Sequence, residues 1–305
     1  MISIQEAAER IRAGGLVAFP TETVYGLGAN ALDAAAVSKI YSLKRRPSTS
    51  PLIVHAESVE MARTLVAEWP PEAERLARRY WPGPLTLVLP KQPTVPDVVT
   101  AGLPTVGIRV PQHPMALALI REAGVPVAAP SANKFTGLSP TTAEHVWAAF
   151  GDAVPVLDGG PCQVGIESTV VSIAKGEDGV TTVTLLRPGM IALEEVERAT
   201  APETGAAHPA PGMHERHYSP RTRLILVDDP TALPDATGAY VWIRKPGASL
   251  RTVAMPFDPA AYAARLYQVL HDLDAEYYPW IAVEDPPDSV DWEAVRDRLA
   301  RAASK

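Results

Sequence analysis

The chain has 305 residues, of which 47% are hydrophobic and 21% charged, so it has enough apolar mass for a core and is not disordered throughout. It has no run of about 18 apolar residues and no signal-peptide pattern, and its one cysteine, Cys162, excludes an internal disulfide and a cysteine-based zinc site. These features favour a globular protein of one or two domains in a reducing cytoplasm, with no membrane partner.

The formal charge is uneven along the chain. Residues 1–150 carry a balance of +2 and residues 151–305 a balance of −9, which gives the net charge of −7. Because affinity for phosphate groups grows with the number of cationic contacts, an acidic chain is a poor general binder of nucleic acid. We therefore expect any site for a polyanion to be local and to lie in the first half.

The first 190 residues alternate between strand and helix patterns without a strict βαβ rhythm. Ser3 and Glu6 fit a capping box that starts a first helix, which extends to Gly14. Further helices are predicted at Asp33–Lys44, Val59–Glu68, Glu72–Tyr80, Pro114–Ala123 and Ala143–Phe150. Strands are predicted at Leu16–Phe19, Leu52–Val54, Leu85–Leu89, Val106–Val110, Val125–Ala129, Thr169–Ile173 and Val180–Leu186. This interleaving predicts an α/β domain with a large twisted mixed sheet.

Residues 200–222 break this pattern, because they are rich in alanine and proline and have no apolar period, and we predict a linker there. The second half of the segment, GMHERHYSPR, is unusually rich in His, Arg and Tyr, so a tether and a ligand contact both stay open. A smaller α/β unit follows. Its strands are predicted at Leu224–Val227, Tyr240–Ile243 and Ile281–Val283, and its helices at Pro259–Glu276 and Trp292–Ala302. We predict domains at 1–199 and 223–305, the second a small Rossmann-like α/β domain.

Most familiar catalytic motifs are absent from the sequence. Residues 26–31 formally satisfy G-x-G-x-x-A, but the acidic residue that a dinucleotide site needs about 20 positions later is missing, because residues 44–50 are basic and rich in hydroxyls. The chain has no Walker loop, no H-E-x-x-H and no G-x-S-x-G. A dinucleotide site, a zinc protease and an α/β-hydrolase are therefore disfavoured.

Polar clusters instead follow several predicted strands and helices, where open α/β sheets bind ligands. Lys44 and Arg46, with Ser50 close behind, form a candidate phosphate cradle, although cations at a helix end also complement the helix dipole. Arg109 stands in a predicted buried strand and needs a partner, which is either an internal carboxylate or a ligand carboxylate. Together the clusters suggest a site that binds and orients anions for a transfer reaction.

Six motifs, in this order, resemble the threonylcarbamoyl-AMP synthase family in the long form of the YrdC-domain proteins. The motifs are PTETVYGLG, KRRP, the S-x-N of Ser131 and Asn133, GIESTV, LRPG and GMHERHYSP, and they cover nearly the whole chain. The resemblance implies a YrdC-like catalytic domain with a positive concave cavity, a linker over that cavity and a C-terminal domain.

The same resemblance implies a reaction. L-threonine and bicarbonate give N-carboxythreonine, whose carboxylate attacks the α-phosphate of ATP, so that pyrophosphate leaves and L-threonylcarbamoyl-AMP forms. A downstream threonylcarbamoyl-transferase complex then modifies the adenosine beside the tRNA anticodon, so tRNA is expected as an indirect partner. Mg²⁺ is expected to enter with ATP, held by phosphate oxygens and water rather than by protein ligands.

The resemblance also implies the site residues, with Lys44 and Arg46 as the catalytic pair. L-threonine is expected at Thr23, His55, Arg109 and Ser168, where Arg109 meets the amino-acid carboxylate. ATP is expected at Arg46, Ser50, Thr105, Ala129, Ser131, Asn133, Ser139, Arg187, His217 and Tyr218, with Arg216 beside them over the cavity. Since the catalytic cations are assigned to the ligand, we expect Lys44→Ala or Arg46→Ala to abolish activity with little change in melting temperature.

Two other functions stay open. A factor that binds double-stranded RNA or tRNA could use the basic cavity, but the net charge and the lack of interleaved basic and aromatic residues argue against it. A carbamoyl-transfer domain of hydrogenase maturation would also need acylphosphatase-like and zinc-finger-like segments, which this sequence lacks.

Overall fold

The computed structural model describes residues 1–176, 179–193, 197–198 and 217–304. Most of the predicted linker, with Arg216, lies outside these ranges, and so does Lys305. The predicted domain limits therefore stay predictions.

Within the described ranges, nine strands form one mixed sheet in the order β1-β2-β6-β3-β5-β4-β7-β8-β9. The strands are β1 Val17–Phe19, β2 Gly26–Asn30, β3 Ile53–His55, β4 Leu85–Pro90, β5 Thr105–Arg109, β6 Val127–Ala128, β7 Thr169–Lys175, β8 Thr181–Arg187 and β9 Glu197–Arg198. The pairs β3–β5, β4–β7 and β8–β9 are parallel, and the others are antiparallel. The strands of its central part are apolar and buried, as expected of a sheet covered on both faces.

Seven helices accompany this sheet in the same part of the chain: α1 Ile4–Arg12, α2 Ala34–Lys44, α3 Val59–Arg63, α4 Pro71–Tyr80, α5 Asp97–Thr100, α6 Pro114–Ala123 and α7 Ala143–Phe150. The predicted capping box of α1 is present, with Ser3 and Glu6 bonded to each other's backbone N–H groups. Asp33 caps α2, which ends at Arg45 in a left-handed conformation (φ 53°). That abrupt end brings the cations of residues 44–46 to the site described below.

A second sheet of four parallel strands follows, in the order β10-β13-β11-β12. Its elements are β10 Leu224–Val227, β11 Ala239–Trp242, β12 Arg251–Ala254, α8 Pro259–Ala275, β13 Ile281–Glu284 and α9 Glu293–Ala303. The predicted fold class is thus confirmed, because a large mixed sheet is joined by a smaller parallel α/β unit.

The two sheets share a hydrophobic contact. Val24, Leu138 and Ile166 of the first part are buried in one cluster with Tyr267 and Leu266 of α8. Burial of apolar side chains is worth about 25 cal/mol per Å² of area removed from water, so this contact favours a fixed arrangement of the two units. No helix in the described ranges has both the length and the apolar composition that a membrane crossing requires.

One predicted helix end was wrong, and several elements of the described ranges were not predicted. The sequence predicted no element at Gly26–Asn30, which forms strand β2. The helix predicted to reach Glu68 ends at Arg63, because Leu65 and Ala67 exchange backbone hydrogen bonds with Gln92 and Pro90. Strand β12 and helix α5 were not predicted, since short segments with little apolar periodicity give no local signal.

Candidate active site

One end of the large sheet collects the polar clusters, and the strand directions explain why. β3 and β5 are parallel and pair His55 with Arg109 at their final residues. β4 lies between β5 and β7, antiparallel to β5 and parallel to β7. The start of β7, which Ser168 precedes, and the end of β5 are therefore at the same end of the sheet. β8 runs antiparallel to β7 and places Arg187 opposite Val170. Residues up to 132 positions apart along the chain, His55 and Arg187, therefore meet at this end of the sheet.

The other half of the sheet ends in the same place. β1 pairs Phe19 with Gly26, so the Thr21–Thr23 loop that follows β1 lies beside the start of β2. Gly26 also forms a bridge with Ser131, which follows β6. Loops after strand ends are where sheets of this kind bind ligands.

A cavity of about 530 Å³, open at its mouth, lies at this end of the sheet. Its lining carries three arginines, five hydroxyl side chains, one histidine ring from the sheet and one from the segment before β10, and one carboxylate. The polar lining residues are Thr21, Thr23, Arg46, His55, Arg109, Ser131, Glu167, Ser168, Arg187, His217 and Tyr218. The walls also include Val24, Gly26, Ile53, Ala129 and Pro130.

Arg109 forms one corner of the cavity and has an internal partner. Its Nη2 lies 2.6 Å from Oε1 of Glu22, Nη1 donates to the Thr23 hydroxyl at 2.8 Å, and Nε donates to the Gly83 carbonyl at 3.1 Å. Of the two partners that the sequence left open for Arg109, an internal carboxylate is present. Both side chains are almost fully buried. Removal of either partner of a buried ion pair strongly destabilises a protein, because the other charge is left buried and unpaired.

His55 lies next to Arg109 across the strand pair. Burial, and then the charge of Arg109, lower the pKa of His55 to about 3, so its ring is neutral at pH 7. The ring packs edge-on against Phe19, with centroids 5.9 Å apart. A neutral imidazole beside a buried cation can accept or donate one hydrogen bond to a small ligand.

Ser168 and Arg187 form another part of the cavity wall. Arg187 donates from Nε and Nη2 to the Ser168 carbonyl at 3.1 and 3.0 Å, and from Nη2 to its hydroxyl at 3.2 Å. The same hydroxyl is 2.8 Å from that of Thr86. Burial lowers the pKa of Arg187, although nearby Tyr218 and Glu167 oppose this effect.

Lys44 lies behind the wall and holds the S-x-N segment. Its ammonium donates to the Ser131 carbonyl at 2.7 Å, to the Asn133 carbonyl, and to Asn133 Oδ1 at 3.2 Å. Asn133 in turn accepts from the Ser131 hydroxyl and donates to the Gly137 carbonyl. Burial, and then the charge of Arg46, lower the pKa of Lys44 well below its usual value. Lys44 shapes the cavity without lining it.

Arg46 lines the cavity, and two nitrogens of its guanidinium donate hydrogen bonds to backbone carbonyls. Nε donates to the Ser50 carbonyl at 3.3 Å and Nη2 to the Pro51 carbonyl at 3.1 Å, and the guanidinium lies 5.8 Å from the ring centre of Phe135. Burial lowers the pKa of Arg46 to about 10, so it remains a cation at pH 7. Ser50 therefore acts here through its carbonyl.

The described structure gathers most of the predicted site residues but not all. Ten line the cavity: Thr23, Arg46, His55, Arg109, Ala129, Ser131, Ser168, Arg187, His217 and Tyr218. Lys44, Asn133, Ser139 and Ser50 stand directly behind these. Thr105 begins β5, roughly 13 Å along the strand from Arg109, and lines a narrower neighbouring cavity, so its contact with ATP stays a prediction. Arg216 lies outside the described residues.

Several important residues were not singled out from the sequence. Glu22 and Glu167 stand inside the PTET and GIEST motifs, so the motifs marked their segments but not their roles. Tyr267 and Arg298, which contact Glu167 from helices α8 and α9, gave no signal, because they occupy ordinary positions of amphipathic helices.

The site is built to hold anions. Three buried guanidinium groups face a cavity with a single carboxylate in its described lining, and that carboxylate is paired with Arg298. Arginine suits carboxylate and phosphate, because its planar fork donates two parallel hydrogen bonds. Within the described residues, no three His, Cys, Asp or Glu side chains are grouped so as to hold a metal ion.

Two family models match consecutive parts of the chain. Residues 9–189 match the model described as "Telomere recombination" (Sua5_yciO_yrdC), and residues 190–304 match "Threonylcarbamoyl-AMP synthase, C-terminal domain". The chain is 48% identical to the threonylcarbamoyl-AMP synthase of Pyrococcus abyssi over 74% of this chain and 68% of that protein. It is 40% identical to the synthase of Bacillus subtilis over 98% of this chain and 92% of that protein.

A solved structure gives the same result. The crystal structure of P. abyssi Sua5 complexed with L-threonine superposes with a TM-score of 0.90 at 38% sequence identity, over 98% of this chain and 94% of that one. The match includes both sheets, so the similarity extends beyond the first domain.

Proposed function

Because the chain belongs to the Sua5 family of threonylcarbamoyl-AMP synthases, we propose that it is a nucleotidyltransferase that makes L-threonylcarbamoyl-AMP and pyrophosphate from L-threonine, bicarbonate and ATP. A carboxylate oxygen of N-carboxythreonine forms a bond to the α-phosphorus of ATP. The bond between the α-phosphorus and the oxygen that bridges it to the β-phosphate breaks, and pyrophosphate leaves with the electron pair of that bond. The product serves the threonylcarbamoyladenosine modification of tRNA.

The observation that carries this proposal is the convergence of Arg46, Arg109 and Arg187 on one cavity. They come from three segments of the chain, and each is anchored by hydrogen bonds to backbone carbonyls. Fixed cations stabilise charge that develops on a phosphoryl group without the reorganisation that water would need. Catalysis is then mainly the alignment of two anionic reactants.

L-threonine fits the corner formed by Thr23, His55, Arg109 and Ser168. The Arg109 guanidinium is already paired with Glu22. The amino-acid carboxylate is therefore a second anionic partner of this arginine, and not its first. The P. abyssi relative was crystallised with L-threonine, which supports L-threonine as a substrate.

ATP fits the opposite side, where Arg46, Arg187 and the Ser131 hydroxyl face the cavity. The Tyr218 hydroxyl is buried in this wall and has no hydrogen-bond partner within the described residues. A buried hydroxyl without a partner is costly, so a ligand that supplies an acceptor is favoured there. Lys44 supports the nucleotide side through the Ser131 segment.

Mg²⁺ is proposed to enter with ATP. Phosphate oxygens and water, rather than protein ligands, would supply its coordination shell. The bound ion would neutralise charge on the triphosphate. A cytoplasmic location, and transfer of the product to a downstream threonylcarbamoyl-transferase complex, are also proposed.

The proposal is tested by incubating the protein with ATP, Mg²⁺, bicarbonate and L-threonine and measuring pyrophosphate and threonylcarbamoyl-AMP together. Both products are expected to form in equal amounts and to fall to background when threonine or bicarbonate is left out. Pyrophosphate release that ignores the omission of threonine contradicts the proposal. A gel shift with duplex RNA at near-physiological salt is expected to show no complex, and a stable complex would instead support an RNA-binding factor.

A further inference from the structure

A fully buried arginine of the C-terminal unit reaches the cavity wall. Arg298 lies on α9, and its side chain is 0% exposed. Its Nε donates to Glu167 Oε2 at 2.7 Å, and its Nη2 donates to the Pro188 carbonyl at 3.0 Å and the Glu167 carbonyl at 3.4 Å. Its Nη1 pairs with Asp297 at 2.5 Å. The Nε and Nη2 atoms of one guanidinium thus contact two segments of the active site.

Those two segments carry ligand-facing residues. Glu167 directly precedes Ser168, and Pro188 directly follows Arg187. Arg187 also donates to the Ser168 carbonyl, so the two segments are linked on the cavity side as well. The two segments are therefore held together by Arg187 on the cavity side and by Arg298 on the side away from the cavity.

The aromatic ring of Tyr218 belongs to the same arrangement. The Arg298 guanidinium lies 5.1 Å from the ring centre of Tyr218, within the range of a cation–π contact, and the ring of Tyr267 lies 6.0 Å from that of Tyr218. Arg298 thereby connects three parts of the cavity wall to one helix of the C-terminal unit.

Glu167 needs this partner for an electrostatic reason. Its carboxylate lines the cavity and accepts hydrogen bonds from Ser139 at 2.5 Å and Tyr267 at 3.2 Å. Burial alone would raise the pKa of Glu167, but the charges of Arg298 and Arg187 outweigh burial and the pKa is lowered. A carboxylate without Arg298 would face the triphosphate of ATP with a like charge in a medium of low dielectric constant.

We propose that Arg298 is a positioning residue for ATP: its guanidinium aligns Arg187 and Tyr218 and cancels the charge of Glu167 at the wall. The C-terminal unit thus completes the nucleotide side of the site. This inference rests on the proposed function for the identity of the anion, while the alignment itself rests on the contacts above.

The test uses the full-length chain in five forms: wild type, Arg298→Lys, Arg298→Met, the double variant Glu167→Gln/Arg298→Met, and Arg296→Met. Arg296 lies on the same helix, is exposed and pairs with Asp288, so it controls for loss of a cation from α9. For each form, calorimetry gives the Kd of Mg·ATP, thermal unfolding gives the melting temperature, and initial rates separate KM for ATP from kcat.

Arg298→Met is expected to weaken ATP affinity at least about tenfold, because charged hydrogen bonds of the wall are lost. Arg298→Lys keeps the charge but not the fork, and is expected to fall between Arg298→Met and wild type. The double variant removes the unpaired carboxylate, so its melting temperature is expected to recover. Its ATP affinity is expected to recover in part, because the like charge is gone, and to stay weaker than wild type, because Arg187 and Tyr218 are no longer aligned. Arg296→Met is expected to match wild type.

Wild-type ATP affinity in any folded variant without Arg298 overturns the proposal. If Arg298→Met does not fold, Arg298→Lys and the double variant carry the test. A lower melting temperature or kcat with unchanged KM and Kd for ATP also overturns it, since that pattern marks a purely structural residue. The Kd measurement needs no turnover, so a wild-type protein that binds ATP but makes no threonylcarbamoyl-AMP contradicts the proposed function and leaves this test intact.

Discussion

At the scale of single residues, Lys44 both stabilises the fold and shapes the site. Its ammonium is buried and satisfies three oxygen atoms of residues 131–133. The sequence motifs assigned Lys44 to the ligand, but its ammonium donates its hydrogen bonds to oxygen atoms of the protein. The expectation that its removal leaves the melting temperature unchanged has to be revised for this reason.

Lys44→Ala is expected to lower the free energy of unfolding by about 3 kcal/mol, because buried carbonyls lose a charged donor and a cavity opens. Arg46→Ala is expected to cost roughly half as much, since Arg46 is anchored by two hydrogen bonds to backbone carbonyls. Both variants are expected to lack synthase activity. Chemical denaturation and pyrophosphate release measure the two effects, and equal stability of both variants would contradict this ranking.

Arg109→Lys tests the threonine corner. Lysine keeps the charge beside Glu22 but cannot donate to Glu22, Thr23 and Gly83 in one plane. We expect KM for threonine to rise about tenfold or more, with a smaller change in KM for ATP. The measurement is initial rate against each substrate in turn. A rise confined to KM for ATP would place Arg109 on the nucleotide side.

At the scale of elements, strand β2 depends on glycine. A Cβ on Gly28 would lie 2.8 Å from a ring carbon of Phe19 and 2.8 Å from Cγ1 of Val127. The G-x-G pattern of residues 26–28 therefore serves the close packing of β2 between its neighbours β1 and β6, and not a pyrophosphate. A G-x-G pattern is compatible with a phosphate-binding loop and with close packing of a strand, and only the side chains next to it in space distinguish the two.

Gly28→Ala is expected to lower the free energy of unfolding by about 1–3 kcal/mol through overpacking. Dinucleotides are expected to have no effect on the melting temperature of either form. Thermal unfolding with and without NAD⁺ measures both points. A neutral substitution, or stabilisation of wild type by NAD⁺, would contradict the packing explanation.

Helices α7 and α8 meet at a stacked pair of histidines. The rings of His145 and His271 have centroids 3.8 Å apart, and the Thr141 N–H donates to His145 Nδ1 at 3.2 Å. Burial, and then the charge that His271 would carry, lower the pKa of His145 to about 3. Burial lowers the pKa of His271 as well. Both rings are neutral at pH 7, so the helices pack without repulsion.

The fold is expected to lose stability between pH 7 and pH 5. In the unfolded chain His145 takes up a proton near its ordinary pKa, whereas the folded chain does so only near pH 3, so acid favours unfolding. The loss from this residue is about 2 kcal/mol at pH 5 relative to pH 7. His145→Asn keeps an acceptor for Thr141 and does not titrate, so its stability should fall less steeply over this interval. Parallel curves for variant and wild type in chemical denaturation would refute this.

At the scale of the whole molecule, the C-terminal unit is part of the catalytic structure. Tyr267 and Arg298 satisfy Glu167, and the apolar side chains of Leu138 and Ile166 are covered from the same side. The cavity is therefore assembled by two units that are far apart in sequence.

Deletion of residues 205–305 is expected to impair both turnover and folding. The deletion removes Arg298, the ion-pair partner of Glu167, and exposes to water the apolar side chains of Leu138 and Ile166 that the C-terminal unit covers. Circular dichroism melting and pyrophosphate release compare the truncated chain with the full one. An unimpaired truncated chain would make the segment after residue 200 a simple tether.

The sequence predicted most elements and most of the cavity lining. The signals for helix caps and apolar strands, and the sequence motifs, each lie within a short stretch of the chain, so they can be recognised without knowledge of the tertiary structure. It did not predict strand β2, because its glycines suited two structures, nor the placement of Thr105 at the far end of β5, which follows from strand direction.

What the sequence by itself determined is the mixed α/β fold, the family and the cations that gather at the site. What only the tertiary structure decided is which charges pair: Arg109 with Glu22, Lys44 with the carbonyls of Ser131 and Asn133, and Arg298 with Glu167. The physical reason is that Coulomb energy and hydrogen bonding depend on distance in space. Glu167 and Arg298 are 131 residues apart, and no local pattern encodes their contact.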